Sequence, residues 1–214
     1  MIKSKIEKPK VSQVINKGSF LDLSEKEDFN LSNCLISDTI INTEIFHRIT
    51  LTKIIFKNVI FKAINFENIE LNDVVFENCD LSNINFAEAS LFRVEFRNSK
   101  LLGIDLSSSS LINVTFDNCV LNLSSFGYSK LKKVAFDNCA LLKADYYECI
   151  FNNVRFFKCD LDEVNFSGTP LKEIDLTTSR FEKLWVSLAD LQGCIVSNNQ
   201  AIGFAKLLGL TVKN

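Results

Sequence analysis

Large apolar residues recur at every fifth position of the chain. From Leu31 to Leu191, all 33 positions in this register carry such a residue, without insertion or deletion. Five residues are about 1.4 turns of an α-helix, so an apolar set with this period would spiral around a helix instead of forming one face. The period is also odd and does not fit the two-residue alternation of a strand. This regularity indicates a repeat architecture.

A second set of positions, two residues before each large one, is small or β-branched. It includes Val74, Cys79, Ile84, Ala89 and Val94. The repeating unit is therefore small-x-(Leu/Phe)-x-x. We interpret it as a coil that turns one corner per five residues and points two side chains of each unit inward.

Residue types also recur every twenty positions. The clearest columns are an asparagine column and a phenylalanine column: Asn58, Asn78, Asn98, Asn118 and Asn138; Phe56, Phe76, Phe96, Phe116, Phe136 and Phe156. Four units thus complete one coil, and coils stacked about 4.8 Å apart place identical residues above one another. We interpret the asparagine column as an amide ladder at one corner.

This pattern, as in Cys79-Asp80-Leu81-Ser82-Asn83 and Ala89-Ser90-Leu91-Phe92-Arg93, resembles the pentapeptide-repeat family. The resemblance implies an all-β fold, a right-handed quadrilateral parallel β-helix of about eight coils with a short C-terminal α-helix. We expect an N-terminal arm and cap (residues 1–30), the β-helix (31–195) and a C-terminal dimerisation segment (196–214). Function does not follow from this fold, because one fold can serve many functions.

Composition narrows the class of protein. A hydrophobic content of 47% excludes a disordered chain. Of the 19 phenylalanines, 14 lie on the five-residue register, so they are expected in the core and not in a cofactor site or a base-stacking platform.

The seven cysteines all fall on the small inward positions: Cys34, Cys79, Cys119, Cys139, Cys149, Cys159 and Cys194. Buried free thiols explain all of them. The chain has no C-x-x-C motif and a single histidine, His47, so we expect no metal site. Unpaired thiols and the lack of an apolar signal peptide suggest a cytoplasmic protein, and no apolar run has the ~20 residues of a membrane span.

Catalysis is not expected, nor is a cofactor. The serines at 107–110 have no nearby histidine or lysine to activate them, and His47 has no evident partner. Asp162 and Glu163 are adjacent on a convex surface, whereas catalytic sites are concave.

The N-terminal segment is rich in lysine (Lys3, Lys5, Lys8 and Lys10). We expect a poorly ordered arm, followed by a cap in which Phe20, Leu21 and Leu23 cover the first coil. The alternative is that the arm contacts nucleic acid or a protein partner.

The outward positions become acidic toward the C-terminus. The late coils carry seven acidic residues that we take as a candidate binding surface: Asp145, Glu148, Asp160, Asp162, Glu163, Glu173 and Asp175. Between residues 145 and 175 they are opposed only by Arg155, Lys158 and Lys172.

After Leu191 the register ends. Ser197 and the two asparagines after it can cap a helix over residues 200–208, and residues 210–212 suggest a short strand. The apolar residues here exceed what one cap needs, so we expect a two-fold homodimer joined through the C-termini. Its candidate contacts are Trp185, Leu188, Ile202, Phe204, Leu207, Leu208, Leu210 and Val212.

The tail also resembles the C-terminal segment of the Qnr-type quinolone-resistance proteins, through residues 189–193, 199–201 and 207–212. That resemblance implies a rod-shaped dimer that imitates DNA and binds type II topoisomerases, protecting them from fluoroquinolones. Many Qnr proteins have two loops that interrupt the coil. The unbroken register here leaves no room for such loops, so the loop-free members are the better comparison.

The resemblance predicts DNA gyrase and topoisomerase IV as partners. A DNA duplex of the rod's length of roughly 40 Å would carry about 24 charges, far more than this rod's net charge, so we expect only a local acidic surface to resemble DNA. The alternatives are a binding scaffold with an unrelated protein partner, and a DNA-binding protein that uses the basic arm. Direct binding of nucleic acid is not expected.

Overall fold

The structure is a computed structural model that describes residues 5–12, 16–20, 30–42, 49–205, 209 and 211. It is a parallel β-solenoid of about eight turns with one short C-terminal helix, which confirms the predicted fold. The described elements are β1 (Asn16–Lys17), β2 (Asn30–Ser32), β3 (Cys34–Ile41), β4 (Thr50–Thr52), β5 (Ile55–Phe61), β6 (Glu70–Glu77), β7 (Ser90–Arg97), β8 (Ser110–Asp117), β9 (Lys130–Asp137), β10 (Ile150–Phe157), β11 (Val164–Asn165), β12 (Leu184–Trp185) and α1 (Asn198–Ala205).

The strands pair in parallel with a register of twenty residues. Leu71 of β6 pairs with Leu91 of β7, which pairs with Leu111 of β8 and then Leu131 of β9. Each coil therefore bonds to the coils before and after it. This confirms four five-residue units per coil.

Left-handed backbone turns form the corners. Asn58, Ala63, Asn68, Asp73 and Asn78 all have φ between 52° and 61°, and equivalent residues repeat along the rod. Asparagine and aspartate tolerate this conformation better than most residues, which explains their abundance at corners.

These corners separate four sides, which we name by the residues of one coil and their equivalents every twenty residues. Face A comprises residues 80–82, face B 85–87, face C 90–92 and face D 95–97. Faces C and D hold the long strands β6 to β10. Faces A and B are mainly joined by single bridges, such as those from Asp80 to Lys100 and from Asn85 to Asp105.

The interior is a column of stacked aromatic rings. Successive rings from Phe56 to Phe156 in the twenty-residue column lie 4.8–5.0 Å apart, with interplanar angles of 10° or less. A second stack includes Phe126 and Tyr146, 4.7 Å apart. Identical neighbours thus fill the core from coil to coil.

The asparagine column forms amide contacts, as predicted. Asn78 Nδ2 donates to Asn58 Oδ1 at 3.3 Å, and Asn118 Nδ2 donates to Asn98 Oδ1 at 2.7 Å. Asn58 itself donates to Asp38 at 2.7 Å. The ladder links neighbouring coils at the corner between faces D and A.

Both ends of the rod are covered. Phe20 is buried, with its ring 6.0 Å from Phe66, and so acts as the expected cap; Leu21 and Leu23 lie outside the described residues. At the other end, α1 begins after Ser197, whose backbone N–H donates to Gln200 Oε1 at 2.8 Å. Gln200 Nε2 donates to the carbonyl oxygens of Leu176 and Ser179, each at 2.9 Å, and anchors the helix to the last coils.

Candidate functional site

The N-terminal arm lies against the rod along the corner between faces C and D. The backbone N–H of Lys10 donates to Asp73 Oδ1 at 2.8 Å, and that of Glu7 donates to Asn113 Oδ1 at 3.2 Å. Asp73 and Asn113 are two coils apart, so three arm residues span about 9.6 Å, which requires an extended backbone. The expectation of a poorly ordered arm is therefore wrong for residues 5–12.

The lysines of this arm line a cleft of mixed charge on face D. Lys5 and Lys8 lie there with Glu95, Asp117 and Asp137, and also with Arg97 and Arg155. The two arginines already pair with Glu95 and Asp137, so contact of the arm with nucleic acid or a protein partner stays a prediction. Lys3 lies outside the described residues.

The seven acidic residues predicted as a binding surface are distributed around the rod. Asp160 and Asp162 lie on face A, Asp145 on face B and Asp175 on face D, while the three glutamates lie at corners: Glu163 between A and B, Glu148 between B and C, and Glu173 between C and D. The structure does not bring them together in one patch.

Positive groups offset the acidic residues of face A. Asp160 pairs with Arg180 at 2.7 Å, and Glu163 at the adjoining corner pairs with Lys143 at 3.6 Å. Asp162 accepts hydrogen bonds from the backbone N–H groups of Lys183 and Glu182, which lower its pKa. Asp162 therefore supports the chain turn as well as adding charge.

Asp175 and Asp145 also have local partners. Asp175 accepts hydrogen bonds from the Thr177 hydroxyl at 2.6 Å and from its N–H, which lower the Asp175 pKa. Asp145 accepts from Asn165 Nδ2 at 2.8 Å and from the Tyr147 N–H at 3.1 Å. These donors are neutral, so they place no positive charge beside either carboxylate.

A strip of negatively charged residues runs along face B and its corner with face C. We call it the acidic strip, and it consists of Glu67, Glu88, Asp105, Asp145 and Glu148. No lysine or arginine occupies an outward position of this face or corner among described residues 65–188. The other three faces, with their corners, carry charges of both signs, so the acidic strip is the surface suited to a basic partner.

The binding surface predicted from the sequence does not include three members of this strip, Glu67, Glu88 and Asp105, because it relies on the density of acidic residues along the chain. They lie up to four coils before Glu148 and are far from it in sequence. The sequence does contain the information needed to find them. The position of a residue within the twenty-residue period fixes the face on which it lies.

Part of the predicted dimer surface is exposed. Trp185, Leu188 and Ile202 are each about half exposed, whereas Phe204 is partly buried, with its ring 5.6 Å from that of Phe181 of the same chain. Lys183 lies over the Trp185 ring at 3.4 Å from its centroid. The other four predicted contacts, Leu207, Leu208, Leu210 and Val212, lie outside the described residues.

The cysteines occupy the inward positions that the sequence predicted. Six are buried, Cys194 is partly buried, and all seven are free thiols. Several bond backbone carbonyls, as when the thiol of Cys119 donates to the carbonyl oxygen of Phe96 at 3.4 Å. The hydroxyl of Ser109 plays the same part, donating to Phe86 at 2.9 Å.

Among the described residues, no group of three or more histidine, cysteine or acidic side chains is arranged to hold a metal ion. No helix in this part of the chain has the length and hydrophobicity needed to cross a lipid bilayer.

Comparison of the sequence with models of known protein families identifies the family of this chain. A model of the pentapeptide repeat region matches residues 49–126 and 129–204, well over half of the chain. The chain belongs to the pentapeptide-repeat family. No curated protein sequence matched it.

Among solved structures, this family member is similar to QnrB1, described as a plasmid-mediated fluoroquinolone resistance protein. A trypsin-treated QnrB1 variant aligns with 24% identity and a TM-score of 0.51, over 86% of this chain and 90% of that one. Full-length QnrB1 aligns with 18% identity and a TM-score of 0.50, over 82% of this chain and 100% of that one. At these identities the likeness shows a shared fold.

Proposed function

We propose that this pentapeptide-repeat protein binds a type II topoisomerase, DNA gyrase or topoisomerase IV, and protects it from fluoroquinolones. The acidic strip is the observation that carries the proposal. It presents carboxylates to a partner along a straight, rigid face, as a DNA strand presents phosphates. A cytoplasmic location, where such partners act, remains a prediction.

The charge spacing of the strip supports this function. From Glu67 to Glu148 the strip spans four coil spacings, about 19 Å, and holds five carboxylates. This is on average one charge per coil, about 4.8 Å, compared with ~3.4 Å per phosphate along a single strand of B-DNA. The strip therefore resembles one strand of a duplex, whereas the whole rod carries too little net charge to resemble both.

The fold gives independent support. QnrB1 shares the solenoid and is described as a resistance protein. The coils of this chain are uninterrupted, so the proposed contact is made by the side chains of the coils.

The experiment measures DNA supercoiling by gyrase in the presence of ciprofloxacin, with and without the protein. We expect the protein to restore supercoiling at drug concentrations that otherwise inhibit it. Binding to gyrase and to topoisomerase IV is measured in parallel by biolayer interferometry, because protection requires a complex. A protein that binds neither enzyme would overturn the proposal and leave a scaffold for another partner.

Charge reversal at matched corners locates the surface. The Glu88→Lys and Glu148→Lys pair changes the strip at two corner positions, with φ of 59° and 49°. The Glu163→Lys and Glu173→Lys pair makes the same change at corners with φ of 55° and 64°, outside the strip.

We expect the first pair to weaken binding at least tenfold and the second to change it little. The opposite result would assign docking to the late acidic residues that lie outside the strip. Circular dichroism and thermal unfolding check that both variants remain folded.

We also propose that the protein forms a homodimer through its C-terminal end, using exposed Trp185, Leu188 and Ile202. Phe204 contributes by fixing α1 on the last coils. Light scattering after size exclusion measures the mass, and Ile202→Glu, which adds a charge at a half-exposed position, is expected to yield monomers. Monomeric wild-type protein at micromolar concentration would contradict the dimer.

A further inference from the structure

Two tyrosines stand within the acidic strip, near its C-terminal end. Tyr128 is 59% exposed, and the half-buried Tyr147 lies beside it, with ring centroids 5.4 Å apart and ring planes at 82°. The backbone N–H of Tyr128 donates to the Tyr147 carbonyl at 2.8 Å, which fixes the two residues on adjacent coils. The pair is therefore held on a rigid support.

Most residues next to the pair are small. One coil away, the equivalent positions are Gly127 and Ser167 in the Tyr147 column, and Ser108 and Glu148 in the Tyr128 column. The rings therefore project beyond the adjacent coil surface. A partner that packs closely against face B has to offer a recess for them.

The pair offers aromatic rings to a partner instead of charge. A hydrogen bond to Glu148 raises the pKa of the Tyr147 phenol, so this ring stays protonated. A charged, purely DNA-like surface gains nothing from an exposed aromatic ring with a second ring beside it. Tyrosine is, however, enriched among the residues that dominate protein–protein binding, because it buries a large rigid surface and keeps a polar tip.

We propose that the Tyr128–Tyr147 pair is the aromatic anchor of the docking face, and that it inserts into an apolar recess beside the basic DNA-binding groove of the partner. This inference rests on the proposed function. The carboxylates speed encounter through long-range attraction that salt screens. The rings act only at contact and slow dissociation, because displacing them exposes apolar surface to water.

The two contributions separate by their response to salt. Binding of gyrase holoenzyme and of topoisomerase IV is measured at several salt concentrations for wild type, Tyr128→Ser with Tyr147→Ser, and a charge variant, Glu67→Lys with Glu88→Lys, which leaves Glu148 beside the tyrosines unchanged. We expect the tyrosine variant to dissociate about 30-fold faster with an unchanged salt dependence, since hot-spot truncations have effects of this order. The charge variant should associate more slowly, with a weaker salt dependence.

Two controls define the role of the rings. Tyr128→Phe keeps the ring and loses the hydroxyl, and should dissociate like wild type. Ile40→Ser removes an apolar side chain that is 52% exposed on face A, and should have no effect on binding. Thermal unfolding shows whether each variant is folded.

The outcomes distinguish the two proposals. If wild type binds, the charge variant is weakened and the folded tyrosine variant dissociates at the wild-type rate, the anchor is wrong and the proposed function stands. If wild type binds neither enzyme, both are wrong. Faster dissociation of the Ile40 variant, to the same degree as the tyrosine variant, would also overturn a specific anchor.

Discussion

Arg93 donates two hydrogen bonds to Asp73, which lies directly beneath it in the preceding coil. Nε contacts Oδ1 at 2.5 Å and Nη2 contacts Oδ2 at 2.7 Å, with Asp73 almost fully buried. The same carboxylate accepts the N–H of Lys10, and Arg93 lies 3.8 Å from Glu7. One ion pair thus connects two coils of the rod and the N-terminal arm.

Removing the arginine should destabilise the fold strongly. Arg93→Ala leaves Asp73 buried without its cation, and losses of about 3 kcal/mol in unfolding free energy are typical of such a change. Arg180→Ala, which breaks the pair of an 82% exposed arginine with Asp160, is the matched control and should change Tm little. The free energy of unfolding of both variants is measured by urea unfolding. An equal decrease for the two variants would contradict a special role for the Asp73–Arg93 pair.

The same pair predicts a dependence of stability on acid. Hydrogen bonding from Arg93 lowers the pKa of Asp73 in the folded protein. The resulting stabilisation is complete above the unfolded-state pKa of about 3.9 and is lost as the pH falls through the folded-state value. Asp73→Asn should therefore be less stable than wild type at pH 7, with the gap narrowing below about pH 4. A gap that stays constant in urea unfolding from pH 7 to pH 2.5 would contradict this.

Tyr146 offers a stabilising substitution. Its ring is fully buried in the second aromatic stack, and its hydroxyl has no hydrogen-bond partner among the described residues. The equivalent residues one coil away, Phe126 and Phe166, lack the hydroxyl. Tyr146→Phe should thus raise the unfolding free energy by about 1 kcal/mol, because an unsatisfied buried polar group is costly. A lower Tm for this variant would show that the hydroxyl is in fact satisfied.

Thiol reactivity should follow burial. Burial raises the pKa of the Cys79 and Cys194 thiols to about 11 and that of Cys149 to about 12, so few thiolates exist at pH 8. Cys194 alone of the seven is partly exposed. Limited alkylation of the folded protein, followed by mass spectrometry, should label Cys194 first. Labelling of Cys139 at the same rate in native buffer would contradict the buried thiol column.

The periodic part of the fold could be predicted from the sequence alone. Because every coil repeats the same packing, the inward positions of Phe76, Phe96 and Phe116 follow from their spacing. The capping role of Ser197 likewise follows from its residue type. The N-terminal arm could not be placed in this way. Glu7 and Lys10 contact residues 106 and 63 positions away, and no repeat relates them.

The candidate site was predicted only in part, for a related reason. Asp145 and Glu148 were found because acidic residues are dense along that stretch of chain. In a solenoid, however, neighbours on the surface are twenty residues apart, so a linear count mixes all four faces. Sorting the charges by face would have found the strip, while the protrusion of Tyr128 also depends on the small Ser108 of the preceding coil.

Because of the twenty-residue register, the length of the rod can change by whole coils. Deleting residues 91–110 would join Ser90 to Leu111, and Ser110 already precedes Leu111 in the intact chain. Every inward column would continue across the junction, while the molecule became about 4.8 Å shorter. Duplication or loss of one such segment can therefore change how far apart two contact points lie on a partner, without the evolution of a new interior.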